Sequence, residues 1–335
     1  MGALLAFFSI LAIGILPMVV YALILWWFDR YEKEPVGLLL AAFLWGAIPA
    51  VIFSLIVELV LDIPISHFVA PGMADAVSVT VVAPIAEEIF KGLAVFLLLL
   101  LFQHELDSPL DGIIYGGLVG FGFAAVENIF YLGSAFLTSG VAALAFLTVV
   151  RVFLFGLNHA LFTGLTGLGV ALARTSPRLG VKIAAPPAGL LLGIAAHSVH
   201  NLSVTLAATL VWPCLIAILF GWGGVLFLFI VIVWASARER QWIVTFLADE
   251  IEKGTLSQRD YDVVCSYTRR LDERAKALTA GDFRRWWNLG CYYRLATKLA
   301  FDKRHLMLLS NENEKVARSR VAQLRQQVVE LGDRF

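Results

Sequence analysis

Seven long apolar stretches alternate with short polar loops up to residue 235, at about 3 to 28, 36 to 61, 77 to 102, 111 to 137, 141 to 173, 183 to 211 and 213 to 235. Crossing a hydrocarbon core of ~30 Å takes roughly 20 mostly apolar residues in a helix, so each stretch is long enough to span. Backbone polar groups in lipid must bond internally, and runs this continuous lack the alternation of barrel strands, so the stretches are predicted to be helices. The fifth is overlong and is expected to be tilted or broken. After residue 235 the pattern becomes that of amphipathic helices with charged faces, over roughly 237 to 252, 257 to 279, 282 to 309 and 312 to 331. Gly254, Gly281 and the run Ser310, Asn311 supply the breaks, and Ser257 and Asp282 are the expected N-caps. The predicted fold is all-α: a polytopic membrane protein of about seven transmembrane helices over residues 1–235, then a helical domain over 236–335.

Loop charge gives the orientation. Arg30 and Lys33 follow the first span, Arg174, Arg178 and Lys182 follow the fifth, and nineteen basic residues follow the seventh. No Lys or Arg lies between spans two and three, four and five, or six and seven. An N-terminus outside and a C-terminal domain in the cytoplasm put every basic loop on the cytoplasmic side. Trp26, Trp27, Trp212 and Trp234 fall near span ends, where interfacial aromatics belong.

Composition divides the chain the same way. It is 59% hydrophobic and 16% charged, well outside the balance of a soluble domain. The formal charge of zero combines 7 Lys/Arg and 12 Asp/Glu before Ala235 with 19 and 14 after it. No nucleic-acid partner is expected, because acids are interleaved throughout the basic part. Its aromatic cluster Phe283, Trp286, Trp287, Tyr292 and Tyr293 reads as core. Cys214, Cys265 and Cys291 show neither CxxC nor zinc-finger spacing and read as free thiols in a reducing compartment. The N-terminus lacks a basic n-region and reads as a retained helix.

Ionisable groups in mid-membrane cost several kcal/mol each and mark pathways, relays or sites. The third span carries Glu87, Glu88 and Lys91; Glu87 and Lys91 are i,i+4 and share a face, while Glu88 is i,i+3 from the lysine. Two adjacent carboxylates beside one cation fall into different roles, as acid–base work requires. A buried structural salt bridge is the plainer reading of this segment alone. The fourth span carries Glu127 and Asn128 after Gly112, Gly116 and Gly120, a small-residue face that allows close helix approach and brings Glu127 towards the acids of span three. His159 and Thr163 are i,i+4 on the fifth, as are His197 and Asn201 on the sixth, with His200 beside them. At 1.5 Å per residue, His159 and His197 lie ~21 Å, Glu87 ~22 Å and Glu127 ~24 Å from the cytoplasmic ends of their spans, which is one common depth. Arg151 and Glu58 lie nearer the outer ends, where they can snorkel without a catalytic role.

These residues resemble the PrsW family of membrane proteases, within the superfamily of the CAAX prenyl endopeptidases. The resemblance is carried by EExxK (Glu87, Glu88, Lys91), FxxxEN (Phe123, Glu127, Asn128), HxxxTG (His159, Thr163, Gly164) and HxxxN (His197, Asn201), in that order on four consecutive spans. Asp29-Arg30-Tyr31-Glu32-Lys33-Glu34-Pro35 also looks like the EP signature of that family. His200 departs from it, since Trp is more usual there, and is a further polar candidate. The resemblance implies endoproteolysis of membrane-anchored proteins, of the kind known for bacterial anti-sigma factors, in the plasma membrane. It further implies Glu87 as the base that activates water, Glu88 as a supporting carboxylate, Glu127 and His159 as groups that orient water or polarise the carbonyl, and His197 with Asn201 on the substrate or oxyanion. Lys91, Asn128, Thr163 and His200 would support them. Glu87, His159 and His197 match a catalytic zinc set, yet there is no HExxH, and the prenyl endopeptidases have also been described as metal-independent glutamate proteases. The sequence alone accommodates both chemistries.

Two other classes compete with a protease. A proton- or ion-coupled transporter would use the same acids and histidines as a relay, but no internal repeat accompanies them. A non-enzymatic signalling scaffold would need Glu87 and His197 for folding only.

Overall fold

The computed structural model describes residues 3–207, 209–308 and 314–332. Among these no strand occurs; the chain is helical throughout and forms two compact units, one of residues 1–28 and 34–232, the other of 29–33 and 233–335. The expected Ser310–Asn311 break lies outside the described residues.

In the first unit, α1 (Ala3–Phe28) is followed by α2 (Val36–Trp45), α3 (Val51–Phe68), the short α4 (Pro71–Val77), α5 (Ala83–Leu101), α6 (Pro109–Leu147), α7 (Asn158–Thr175), α8 (Leu179–Ala207) and α9 (Trp212–Glu252). Among the described residues, five helical stretches are long and apolar enough to cross a membrane, against about seven expected: Leu4–Phe28, Val36–Phe68, Pro109–Thr175, Leu179–Ala207 and Trp212–Glu252. The expected fourth and fifth spans both fall in the third of these, which turns at Gly140, the one residue of α6 with non-helical angles (φ 77°, ψ −162°). The expected third span corresponds to α5, whose 19 residues include Glu87, Glu88 and Lys91.

The expected fifth span is broken. Residues Thr148–Leu154 form a wide π-helical turn, Phe155 leaves the helix at φ −114°, and α7 begins only at Asn158. Two more wide turns, Gly46–Ala50 and Ser78–Val82, precede α3 and α5. Proline explains both, since Pro49 lies within the first and Pro84 just past the second. A proline supplies no N–H and its ring crowds the carbonyl four residues back, which a wider turn relieves.

α6 is the central helix. Ser108 caps it: its hydroxyl accepts from the Leu110 and Asp111 N–H groups, and Asp111 accepts from the Ser108 N–H at 2.7 Å. That reciprocal pair satisfies the first free donors of the helix and fixes where it begins. From Pro109 to Ala125 every residue of α6 is buried. The predicted glycine face is there, and its partner is α7: a Cβ on Gly112, Gly116 or Gly120 would stand 2.2, 2.4 or 2.3 Å from the carbonyl oxygens of Gly167, Thr163 and His159. The face therefore seats α6 directly against the turn that bears His159, and Glu127 lines the same cavity as Glu87 of α5. On the far side of α7, a Cβ on Gly193 would meet the Phe162 carbonyl at 2.5 Å, so α8 packs as closely.

The second unit contains the C-terminal part of α9, then α10 (Gln258–Val264), α11 (Tyr267–Thr279), α12 (Phe283–Leu308) and α13 (Glu314–Gly332). Ser257 and Asp282 act as N-caps, accepting from the Asp260 and Arg285 N–H groups at 3.0 and 2.8 Å. Gly254 and Gly281 take positive φ (70° and 74°) at the helix ends, a conformation that costs a Cβ-bearing residue free energy. The helix predicted over 257 to 279 is interrupted at Cys265–Ser266. The aromatic cluster divides: Tyr292 and Tyr293 are core, Trp286 packs against it, and Phe283 and Trp287 are exposed. Tyr31, from the short 29–33 segment, is buried in the same core as Ile243, Leu247, Tyr292 and Phe301.

Candidate active site

The α5 acids face different surroundings. Glu88 is fully enclosed: its Oε1 takes the Lys91 ammonium in a short ion pair and the His197 Nδ1 at 3.1 Å, and its Oε2 accepts from the Thr163 hydroxyl at 3.0 Å. Glu87, one residue back, is turned ~100° around the helix. Its Oε2 lies 3.2 Å from Lys91 Nζ and 3.9 Å from His197 Nδ1, and Glu87, unlike Glu88, lines an open cavity of about 680 Å³. One carboxylate is thus locked in place and its neighbour presented to a space that a substrate can enter.

Lys91 has no exposed surface and balances both acids. Its Nζ also stands 3.2 Å from His159 Nδ1 and 4.3 Å from the centre of the Phe123 ring, whose π face favours a cation. Buried charges are tolerated only when paired in this way.

The histidines follow from their partners. His159 Nε2 lies 2.7 Å from Glu127 Oε2. A carboxylate can only accept and an ammonium can only donate, so the neutral His159 ring carries its proton on Nε2 and turns the Nδ1 lone pair to the α5 cluster. By the same reasoning His197 carries its proton on Nδ1, facing Glu88, and keeps its lone pair on Nε2. The two rings meet edge to face at 5.1 Å, and Phe162 stacks on His197 at 4.7 Å.

Glu87, Glu88, His159 and His197 each offer a ligand atom, and these atoms all lie within 4.8 Å of one another. Two imidazole nitrogens and two carboxylate oxygens are a donor set that suits a zinc-type ion. Lys91 already places an ammonium beside three of these four residues.

The remaining candidates sit around this cluster. Asn201 lines the cavity, but its Nδ2 donates to the Val79 carbonyl at 2.9 Å in the wide turn before α5. His200 also lines it, pairing with Asn158 through Nδ1 at 3.2 Å and meeting Phe155 edge-on at 4.7 Å. Asn128 is buried, and its Oδ1 accepts from Arg151 Nε at 3.4 Å. Glu127 lines the cavity together with Glu87 and lies beside His159. Arg151, which the sequence alone lets snorkel from the outer end of its span, has Nη2 2.8 Å from Glu127 Oε2 and sits in the wide turn Thr148–Leu154. Asn158 was likewise missed, and its place immediately before His159 was the signal available. Glu58, also read as a surface group, lines the cavity together with Ser54.

Residues 34–235 match the family model described as PrsW family intramembrane metalloprotease. Among curated proteins, the chain is 33% identical over 162 residues to Protease PrsW of Geobacillus kaustophilus, 48% of this chain and 64% of the relative. It is 31% identical over 172 residues to Protease PrsW of Oceanobacillus iheyensis (50% and 70%), and 36% identical over 107 residues to that of Clostridioides difficile (32% and 43%). The chain thus spans less than two thirds of the length of two of these three relatives. No solved structure matches.

Proposed function

The chain belongs to the PrsW family of intramembrane metalloproteases, and from that premise we propose that it is a membrane-embedded endopeptidase acting on membrane-anchored protein substrates. The observation that carries this reading is the inequality of the α5 pair: Glu87 lines the cavity, whereas Glu88 is sealed among Lys91, His197 and Thr163. A hydrolase needs one carboxylate free to exchange a proton with water and others held to keep its surroundings fixed.

In this mechanism the substrate backbone lies in the cavity with its scissile carbonyl above Glu87. Glu87 takes a proton from a water molecule as the water oxygen bonds to the carbonyl carbon. As the C–N bond breaks, the same carboxyl returns that proton to the leaving amine, so no net proton is consumed in the step. His197 Nε2 and Asn201 line the substrate side; Asn201 Nδ2 carries two hydrogens and gives one to Val79, leaving the other for a carbonyl or oxyanion. Glu88 and Thr163 hold His197 and Lys91 in place. His159, oriented by Glu127, presents Nδ1 to the cluster. Zinc is the ion we propose; His159 and His197 would hold it with Glu87 beside it as the base, and it would polarise the carbonyl and acidify the attacking water.

The loop charges support a cytoplasmic C-terminal unit and an external N-terminus. With the family, they support the bacterial plasma membrane as the location and an anti-sigma-factor-type protein as the substrate. Purified protein treated with chelator is expected to lose cleavage and regain it with added Zn²⁺. Full cleavage by rigorously metal-stripped protein would instead make Glu87 the base of a metal-independent reaction.

A further inference from the structure

Arg151 is a partly exposed cation that lines the cavity and that the reaction scheme above does not use. Its guanidinium grips one face of α6: Nη2 lies 2.8 Å from Glu127 Oε2, Nε lies 3.4 Å from Asn128 Oδ1, and Cζ sits 3.7 Å over the Tyr131 ring. The Glu127 oxygen that takes Nη2 is the same Oε2 that lies 2.7 Å from His159 Nε2. Arg151 and His159 therefore meet on a single oxygen atom. On an unbroken α-helix, eight residues separate side chains by ~12 Å along the axis and ~80° around it. The wide turn at Thr148–Leu154 and the break at Phe155 remove that offset.

We propose that Arg151 is a positioning residue of the site: by fixing the Glu127 carboxylate, it holds the His159 ring in the orientation that turns Nδ1 to the α5 cluster. An imidazole N–H alone is a weak tether for a carboxylate, and an unbalanced carboxylate in a water-poor site seeks the nearest cation. Without Arg151 that cation is Lys91, just across His159, and movement of Glu127 towards it would displace the ring between them. Nη2 supplies the charge that balances the carboxylate, while Asn128 on Nε and Tyr131 under the planar face hold the guanidinium itself in place. Carboxylates behind active histidines act in this way in metal and hydrolytic sites, and losing such an outer partner lowers affinity or activity by about 10- to 100-fold.

The inference rests on the hydrolytic reading of the cluster, so its test has one readout that needs no turnover. Protein labelled with ¹⁵N-histidine, at one pH, is compared as wild type, Arg151→Met and Arg151→Lys, with the His159 signal assigned by its loss in His159→Gln. Wild type is expected to show the Nε2–H tautomer at His159, Arg151→Met a mixture of tautomers, and Arg151→Lys an intermediate pattern. In parallel, kcat is expected to fall about 10- to 100-fold in Arg151→Met with KM within about twofold, and to recover in part in Arg151→Lys. Glu127→Ala combined with Arg151→Met should be no worse than Glu127→Ala alone, because both act through one carboxylate. An unchanged His159 tautomer in folded Arg151→Met, or a double variant whose losses multiply, overturns the proposal. If Arg151→Met does not fold, Arg151→Lys and the double variant carry the test. A wild type that cleaves nothing but shows the tautomer shift would sink the protease reading and leave Arg151 as the group that orients His159.

Discussion

At the scale of single residues, the two adjacent glutamates are chemically identical and are made unlike by their neighbours. Glu87→Gln keeps the shape and removes the proposed base, so kcat is expected to fall by about 10²- to 10⁴-fold with the membrane-inserted fold retained. Near wild-type turnover by folded Glu87→Gln would exclude it as the base. Thr163→Val tests the lock on Glu88. Its hydroxyl donates to Glu88 Oε2 at 3.0 Å inside a fully buried site, so its loss is expected to cost about 1–3 kcal/mol, read as a lower unfolding temperature in detergent. Much of this was legible in the chain, because i,i+3 and i,i+4 spacing alone puts Lys91 beside both acids and Thr163 on the face of His159. The partners of Glu127, Asn201 and His200 were not legible. They depend on where helices distant in sequence touch, and for Arg151 on a turn whose width no periodicity reveals.

At the scale of elements, glycine contacts set the positions of the side chains in the candidate site. Gly120 packs against the carbonyl of His159 itself, so a side chain there must push α7 away or fail to fold. Gly120→Leu is expected to destabilise the protein by more than the ~1–3 kcal/mol of ordinary overpacking, since the obstacle is backbone. Gly133, on the same helix with nothing within 4 Å of its Cβ position, is expected to accept leucine with the folded yield unchanged. Equal yields for the two variants, measured by size-exclusion profile and thermal stability, would contradict the packing described here. The all-helical character could be read from hydropathy and two caps from Ser257 and Asp282, but not the number of spans: about seven are expected, and five helices among the described residues are long and apolar enough to cross. The glycine face was predicted too, but its partner was not, since a small-residue stripe encodes close approach without naming the helix that approaches. The break in the fifth apolar stretch was foreshadowed only by its excess length.

At the scale of the whole molecule, the chain joins an apolar unit that carries the site to a charged helical unit whose core includes a residue from far upstream. Arg270 is buried there and donates to the carbonyls of Val264 and Tyr31 and to the Thr297 hydroxyl, at 2.7, 3.1 and 2.9 Å. Burial pushes its guanidinium down to about 10, still charged at neutral pH. A boundary drawn at residue 235 from composition alone therefore leaves Tyr31 outside a core to which it belongs, because a short polar loop carries no periodic signal. Tyr31→Ala is expected to destabilise this unit by ~3–5 kcal/mol, visible as faster hydrogen exchange in α11 and α12. Exchange indistinguishable from wild type would show that the segment adds nothing to the core. The central claim concerns the other unit, and the most direct test is cleavage itself: wild type, Glu87→Gln and His197→Ala co-expressed with tagged single-span membrane proteins, all three checked for membrane insertion. A fragment produced by wild type and absent with both variants is the predicted result; a fragment that persists unchanged with both folded variants would contradict the assignment of this cluster as the catalytic site.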